Sequence, residues 1–181
     1  MRGLKKTSAI KIILEKLGVD AIDSLIEKIH EDFISSITCY YRTSPDVIVA
    51  PGAEEMFIWL KEKEIRVTLN TGFSKEVADA IVDRFQWMQR GLIDEYISSD
   101  EVREGRPRPF MIQQLMKNAE IKNTNEVAKI GDTVVDIEEG RNAGCGLVIG
   151  ITTGALSRKQ LELSNPDYVI DRLSELKTLI Y

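Results

Sequence analysis

A chain of 181 residues with 24 basic against 29 acidic side chains and a net charge of -5 is sized for one domain, or for a modest core carrying a smaller appendage. The acidic balance, with no Lys/Arg stripe interleaved with aromatics, argues against a nucleic-acid partner. No stretch approaches the length of a membrane span, and the N-terminus has no apolar run before a small-residue cleavage site, so neither a membrane partner nor a leader is expected.

From Thr7 to about Tyr41, the apolar positions Ile10, Ile13, Leu14, Leu17, Ile22, Leu25, Ile26, Ile29, Phe33 and Ile37 recur at three- and four-residue spacing, and Gly18 divides them into two helices. The pattern changes at Pro45. A helix is expected from about Ala53 to Lys63, a strand over Ile65 to Asn70 and a helix from Lys75 to about Phe85. Further strands are expected at Leu92 to Ile97, Val127 to Ile130, Leu147 to Ile151 and Tyr168 to Ile170. Helices are expected near Pro109 to Asn118, Val135 to Asn142, Ser157 to Leu163 and Leu173 to Leu179. Strands separated by helices predict a parallel sheet covered on both faces, an α/β, Rossmann-like core over 48–181 preceded by an all-helical segment over 1–47.

In such a sheet the ligand site lies off the carboxyl ends of the strands, so the polar residues just after each apolar run are the candidates. Asn70, Thr71, Gly72, Phe73 and Ser74 offer a hydroxyl and backbone N–H groups at a helix start; they read either as an anion cradle or as the cap of the helix from Lys75. Gly105-Arg106-Pro107-Arg108-Pro109 holds an arginine on a backbone stiffened by proline, and Arg106 is the stronger candidate for a phosphate, which a guanidinium meets with planar, permanently charged donors. Lys129-Ile130-Gly131-Asp132-Thr133-Val134-Val135-Asp136 puts Asp132 at a strand exit and Asp136 one turn into the next helix, where both can converge on one hard cation such as Mg²⁺; helix capping by Asp132 is the plainer reading. Thr152-Thr153-Gly154 is expected to be a loop packing near the site. His30 reads as structural, Trp59 and Trp87 as core or rim packing, and Glu138-Glu139 as solvated. Cys39 and Cys145 lack CxxC spacing and a nearby histidine, which predicts buried thiols in a reducing compartment, the cytoplasm.

Taken in order, Asn70-Thr71-Gly72-Phe73, Gly105-Arg106-Pro107-Arg108-Pro109-Phe110-Met111 and Lys129-Ile130-Gly131-Asp132-Thr133-Val134-Val135-Asp136-Ile137-Glu138-Glu139-Gly140-Arg141-Asn142-Ala143-Gly144 resemble motifs two, three and four of the haloacid dehalogenase-like hydrolases. The arginine in place of lysine resembles the phosphonatase-like branch related to phosphonoacetaldehyde hydrolase. The resemblance implies that Thr71 hydrogen-bonds a transferring phosphoryl group with Asn70 and Gly72 beside the substrate, that Arg106 stabilises that group, and that Asp132 and Asp136 surround Mg²⁺. It makes the N-terminal helices a cap. Gly3-Leu4-Lys5-Lys6 resembles the cap signature whose lysine forms a Schiff base with the aldehyde, with Lys6 the closest match and Lys5 one residue out of register; the histidine that follows in true phosphonatases is replaced by Ser8 and Ala9.

The resemblance also implies a first strand ending in Asp-x-x-Gly-Thr, whose aspartate is the nucleophile. Neither Asp20 and Asp23 nor Asp167 and Asp171 stands before a Gly-Thr turn. The expectation is therefore a Mg²⁺-dependent phosphatase or phosphonatase fold for a small phosphorylated or phosphonate metabolite, lacking its first strand and catalytically incomplete. The gap would be closed by collapse, strand exchange or a partner, a homodimer among them. The alternatives are a non-catalytic module that binds a phosphorylated ligand or partner chain through Thr71, Arg106 and the Asp pair, or a gene remnant that folds poorly.

Overall fold

The computed structural model describes residues 6–154 and 156–180, with Lys6 and Ser8 described in backbone only. Helices α1 (Lys6–Lys16) and α2 (Asp23–Thr43) form the expected hairpin. The first stops because Gly18 takes φ 68° and lets the Val19 N–H return to the Leu14 carbonyl at 3.0 Å, which closes the last turn. The C-terminal end of α2 is tied down. Arg84 donates to the carbonyls of Tyr41 (3.0 Å) and Ser44 (2.7 Å), and the Tyr41 ring meets Phe73 edge-on with centroids 5.5 Å apart.

After α2 the chain alternates as the pattern requires: α3 (Ala53–Glu62), β1 (Thr68–Thr71), α4 (Lys75–Phe85), β2 (Glu95–Ser98), α5 (Phe110–Asn118), β3 (Ala128–Gly131), α6 (Val134–Ala143), β4 (Leu147–Ile151), α7 (Arg158–Glu162) and β5 (Tyr168–Ile170), with a 3₁₀ segment over Leu173–Thr178 where an α-helix was expected. Every strand pairing is parallel. The strands nevertheless form two sheets, β1–β2 and β3–β4–β5, and among the described residues no ladder joins β1 to β3.

Two strands begin later than their apolar runs, each for a stated reason. The Leu92 and Ile93 N–H groups go back to the Trp87 carbonyl in the turn after α4, so these side chains are buried while their backbone belongs to the turn. Val67 lies before β1, and its N–H donates to the Asp94 carboxylate at 2.7 Å while its carbonyl accepts from the Asp94 N–H at 2.8 Å. Asp167 treats Val148 in the same way, at 2.7 and 2.8 Å.

The main apolar cluster joins Met56 and Leu60 of α3 to Val67, Val82 and Ile93 beside the first sheet and to Ile149, Ile151 and Ile170 of the second. A second cluster, around Ile112, Met116, Ile137, Val148 and Leu161, covers the other face of β4, as the alternation of Val148 and Ile149 demands. Each such side chain stabilises the fold by roughly 1.5–3 kcal/mol when fully buried. Trp59 and Trp87 pack at the rim of the main cluster. Cys145 is buried, but Cys39 is exposed on α2, contrary to the expectation of two buried thiols, because only part of that long helix meets the core.

Candidate phosphate site

Thr71 ends β1, and its Oγ1 accepts from the Phe73 N–H at 3.2 Å, which bends the chain into the Gly72–Phe73 loop. Ser99 holds that loop from just past the end of β2, donating to the Gly72 and Phe73 carbonyls at 3.2 Å each. The N-terminus of α4 is already served by an acid: the Asp100 carboxylate accepts from the Lys75 N–H at 2.9 and 3.1 Å. Ser74 occupies the N-cap of α4, and its Oγ is buried with no hydrogen-bond partner among the described residues.

Arg106 comes to this loop from the turn before α5. A Cβ on residue 72 would lie 2.9 Å from the Arg106 Nη2, so glycine there is what lets the guanidinium reach the end of β1. The Arg106-Pro107 peptide is cis, and Asn142 of α6 donates to the Pro107 carbonyl at 2.8 Å, fastening the turn to α6. Arg106 Nη1 pairs with Asp136 Oδ1, while Thr133 Oγ1 donates to Asp136 Oδ2. The second cation on Asp136 is Lys129, from β3, at 3.2 Å. Burial pushes the Asp136 carboxyl up, but Lys129 and Arg106, with the Thr133 and Arg106 hydrogen bonds, outweigh it and hold it below the usual carboxylate range.

The Arg106 guanidinium thus links Asp136 to Gly72, in the loop that Thr71 opens. Asn70 is engaged inward: its Oδ1 accepts from Lys129 at 2.6 Å and its Nδ2 donates to Glu139 at 2.8 Å. Asp132 is half-buried against Gly154, where any side chain would collide with its carboxylate. Lys6 opens α1, but its side chain lies outside the described residues, as do Gly3, Leu4 and Lys5.

Glu139, expected in solvent, is fully buried; Glu138 beside it is exposed. Lys129 and Glu139 are the partners the sequence reading left without a role. The available signal was positional: Glu139 lies three residues beyond Asp136, on the same face of α6.

For a divalent metal the fit is partial. Asp132 is a carboxylate without a cationic partner among the described ion pairs, whereas Asp136 is committed to two cations; no group of three or more His, Cys, Asp or Glu suited to a metal occurs among the described residues. Among the described residues no helix is long and apolar enough to cross a membrane.

A profile describing haloacid dehalogenase-like hydrolases matches residues 3–149. The phosphonoacetaldehyde hydrolase of Latilactobacillus sakei subsp. sakei (strain 23K) is 30% identical over 165 residues, covering 77% of this chain and 60% of that protein. The enzyme of the same name from Bacillus cereus (strain ATCC 10987 / NRS 248) is 34% identical over 118 residues, 64% of this chain and 44% of that protein. The chain therefore spans about half the length of the curated relatives it matches. Among solved structures, a phosphonoacetaldehyde hydrolase-like protein from Oleispira antarctica superposes with a TM-score of 0.77 at 24% identity, over 96% of this chain and 70% of that one. A hydrolase from Pseudomonas syringae gives 0.77 at 20% identity, over 98% and 78%. At these identities the likeness is one of fold.

Proposed function

The chain belongs to the haloacid dehalogenase-like hydrolases, and from that premise we propose that the loop after β1 and the Arg106 turn form the anion end of a site for a small phosphorylated or phosphonate metabolite. The observation that carries this reading is Arg106: one guanidinium nitrogen is held by buried Asp136, and another lies against Gly72 at the end of β1. A cation pre-positioned in this way binds a tetrahedral oxyanion without first being ordered. Thr71 contributes a hydroxyl beside it. Phosphonate chemistry on the names of the relatives is part of the same proposal; Lys6 enters it as the amine that an aldehyde-bearing phosphonate would meet.

Asp132 is the residue of this chain that would hold Mg²⁺, and the ion, when bound, neutralises charge on phosphoryl oxygens. Asp136 is assigned instead to orienting Arg106. Covalent transfer also needs an in-line nucleophile, and both motif-four aspartates are occupied in other roles. The 181-residue sequence holds no Asp-x-x-Gly-Thr string, so by itself it is proposed to turn over very slowly or not at all. The edges of β1 and β3, unladdered among the described residues, support a gap between the two sheets that a further strand would fill or a homodimer would cover. Cytoplasmic residence is part of the proposal as well.

The test is metal-dependent hydrolysis of a panel of phosphorylated and phosphonate metabolites, by this chain and by a version extended at its N-terminus with a strand ending in Asp-x-x-Gly-Thr. The expected result is activity in the extended protein alone, abolished by Arg106→Ala and by Asp132→Asn. Robust Mg²⁺-dependent hydrolysis by the 181-residue chain would refute the catalytic incompleteness. A second reading, a non-catalytic binder of phosphorylated ligands, is favoured by the double commitment of Asp136 to Arg106 and Lys129; it predicts phosphate binding without turnover in both proteins.

A further inference from the structure

Behind Arg106 lies a buried charge group that the proposed chemistry does not use. Lys129 and Glu139 have side chains 8% and 0% exposed, and the Lys129 ammonium donates to Asn70 Oδ1 at 2.6 Å and forms ion pairs with Glu139 Oε2 at 3.0 Å and Asp136 Oδ1 at 3.2 Å. Asp136 Oδ1 is also the atom that holds Arg106. Two cations therefore compete for one oxygen, and the group is neutral only when Glu139 is counted: Arg106 and Lys129 against Asp136 and Glu139. Glu139 Oε1 is buried and has no hydrogen-bond partner among the described residues, so this carboxylate is kept in the interior at a cost that its contacts with Lys129 and Asn70 must offset.

We propose that Glu139 is a positioning residue for the anion site, acting through Lys129: by taking up the lysine's charge it leaves Asp136 to fix Arg106 against Gly72. The proposal rests on the reading of Arg106 as the anion-binding cation. Without the Glu139 charge, Lys129 keeps Asp136 as its one anionic partner among the described residues, draws that carboxylate toward itself and releases Arg106. A released guanidinium must be ordered again each time an anion binds. Asn70 completes the device, since its amide joins Glu139 and Lys129 to the residue next to Thr71.

The direction of the effect separates this from simpler roles. Glu139→Gln adds one positive charge to the neighbourhood of an anion site, so a bystander carboxylate predicts tighter phosphate binding, and a purely structural one predicts lower stability with unchanged affinity. Positioning predicts weaker binding, by roughly threefold to tenfold for one side chain that must be re-ordered. The probe is inorganic phosphate, titrated calorimetrically into the whole chain. Because a lone buried lysine can unfold the single variant, the double variant Glu139→Gln/Lys129→Met is measured beside it. It removes both charges, returns Asp136 to Arg106 alone, and is expected to bind phosphate within about twofold of the wild type if Glu139 acts through Lys129.

A second readout needs no ligand. The Arg106 guanidinium resonances, assigned by their absence in Arg106→Lys, should show hindered rotation in the wild type and in the double variant, and averaging in Glu139→Gln. Weaker binding and averaged resonances in the single variant, both reversed in the double, support the inference. Where the single variant does not fold, restored affinity and hindered resonances in the double variant support it, and a double variant impaired in both overturns it. Unchanged or tighter phosphate binding by folded Glu139→Gln, or unchanged Arg106 resonances, overturns it also. If the wild type binds no phosphate while the resonances follow the stated pattern, the anion-site reading fails and the positioning of Arg106 by Glu139 stands.

Discussion

The two sheets are started in the same way and joined in a different one. In each, an aspartate just before a strand clamps a residue at or just before the start of its neighbour: Asp94 takes the Val67 N–H and a lysine, Lys61, at 2.5 Å; Asp167 takes the Val148 N–H and an arginine, Arg141, at 2.8 Å. Between β1 and β3 there is no ladder among the described residues, and the hydrogen bonds that cross there run between side chains, Asn70 to Lys129 and Asn70 to Glu139. Backbone ladders tolerate most side-chain changes, whereas a junction made of one half-buried amide and two buried charges fails when one is removed. The same parallel architecture is thus robust within each sheet and fragile between them.

The largest expected effect breaks the junction. Lys129→Met strands Glu139 without a cation and is expected to lower the unfolding free energy by about 3–5 kcal/mol, the usual cost of removing one partner of a buried ion pair. Urea unfolding measures it, and a loss under 1 kcal/mol would mean that the junction is not a supporting element. Next is the apolar cluster that also spans the sheets. Ile149→Ala, at a fully buried position, is expected to cost about 2–5 kcal/mol. If Lys129→Met and Ile149→Ala proved strictly additive, the polar junction and the apolar cluster would be independent supports.

The clamps sharpen the other side of the comparison. Burial pushes the carboxyls of Asp94 and Asp167 up, but hydrogen bonds from Lys61 and the Val67 N–H, and from Arg141 and the Val148 N–H, hold both below the ordinary carboxylate value. A group whose folded pKa is lowered contributes stability that is present above its unfolded pKa, about 3.9, and is lost as pH falls through the folded value. Asp94→Asn and Asp167→Asn should therefore each cost about 1–2 kcal/mol near neutrality, as charge-assisted hydrogen bonds do. The difference from wild type should shrink in acid below about pH 4. Equal losses would confirm that the clamps are equivalent; a difference that grew with acid would refute the linkage.

The last two strands were the easiest to place from the sequence. Leu147 to Ile151 and Tyr168 to Ile170 are apolar runs that coincide with β4 and β5, and the helical hairpin followed from spacing around Gly18. The order of Thr71, Arg106, Asp132 and Asp136 along the chain, each at or just past an expected strand end or near the start of the following helix, was enough to suggest their places. What stayed hidden was the split of the sheet and the burial of Glu139. A charged residue on a helix next to another charged residue carries no local sign of burial, because the lysine that neutralises it, Lys129, and the amide that donates to it, Asn70, arrive from two other strands, 69 residues away in the case of Asn70. Cys39 was misplaced for the opposite reason: its class is usually buried, but its position on α2 turns it outward.

That pair of cysteines gives the smallest perturbation and the most direct view of the junction. Cys39 is exposed, whereas the Cys145 thiol, at the end of α6, is pushed up to about 11, first by burial, against the opposing pull of Lys129 and with a further push from Glu139. A thiolate reagent at neutral pH should therefore label one thiol per native chain quickly, and the second only through opening, since reactivity follows thiolate fraction and access. Cys145 lies beside Lys129 and Glu139, so its labelling through opening should rise in Glu139→Gln, where the push of Glu139 on the thiol is also removed, rise less in Lys129→Met, where the loss of the lysine's pull opposes it, and stay near wild type in Asp94→Asn, which breaks a clamp in the other sheet. Equal acceleration by all three variants would mean that Cys145 reports global unfolding, and the two sheets would then open as one unit rather than parting first at the polar junction.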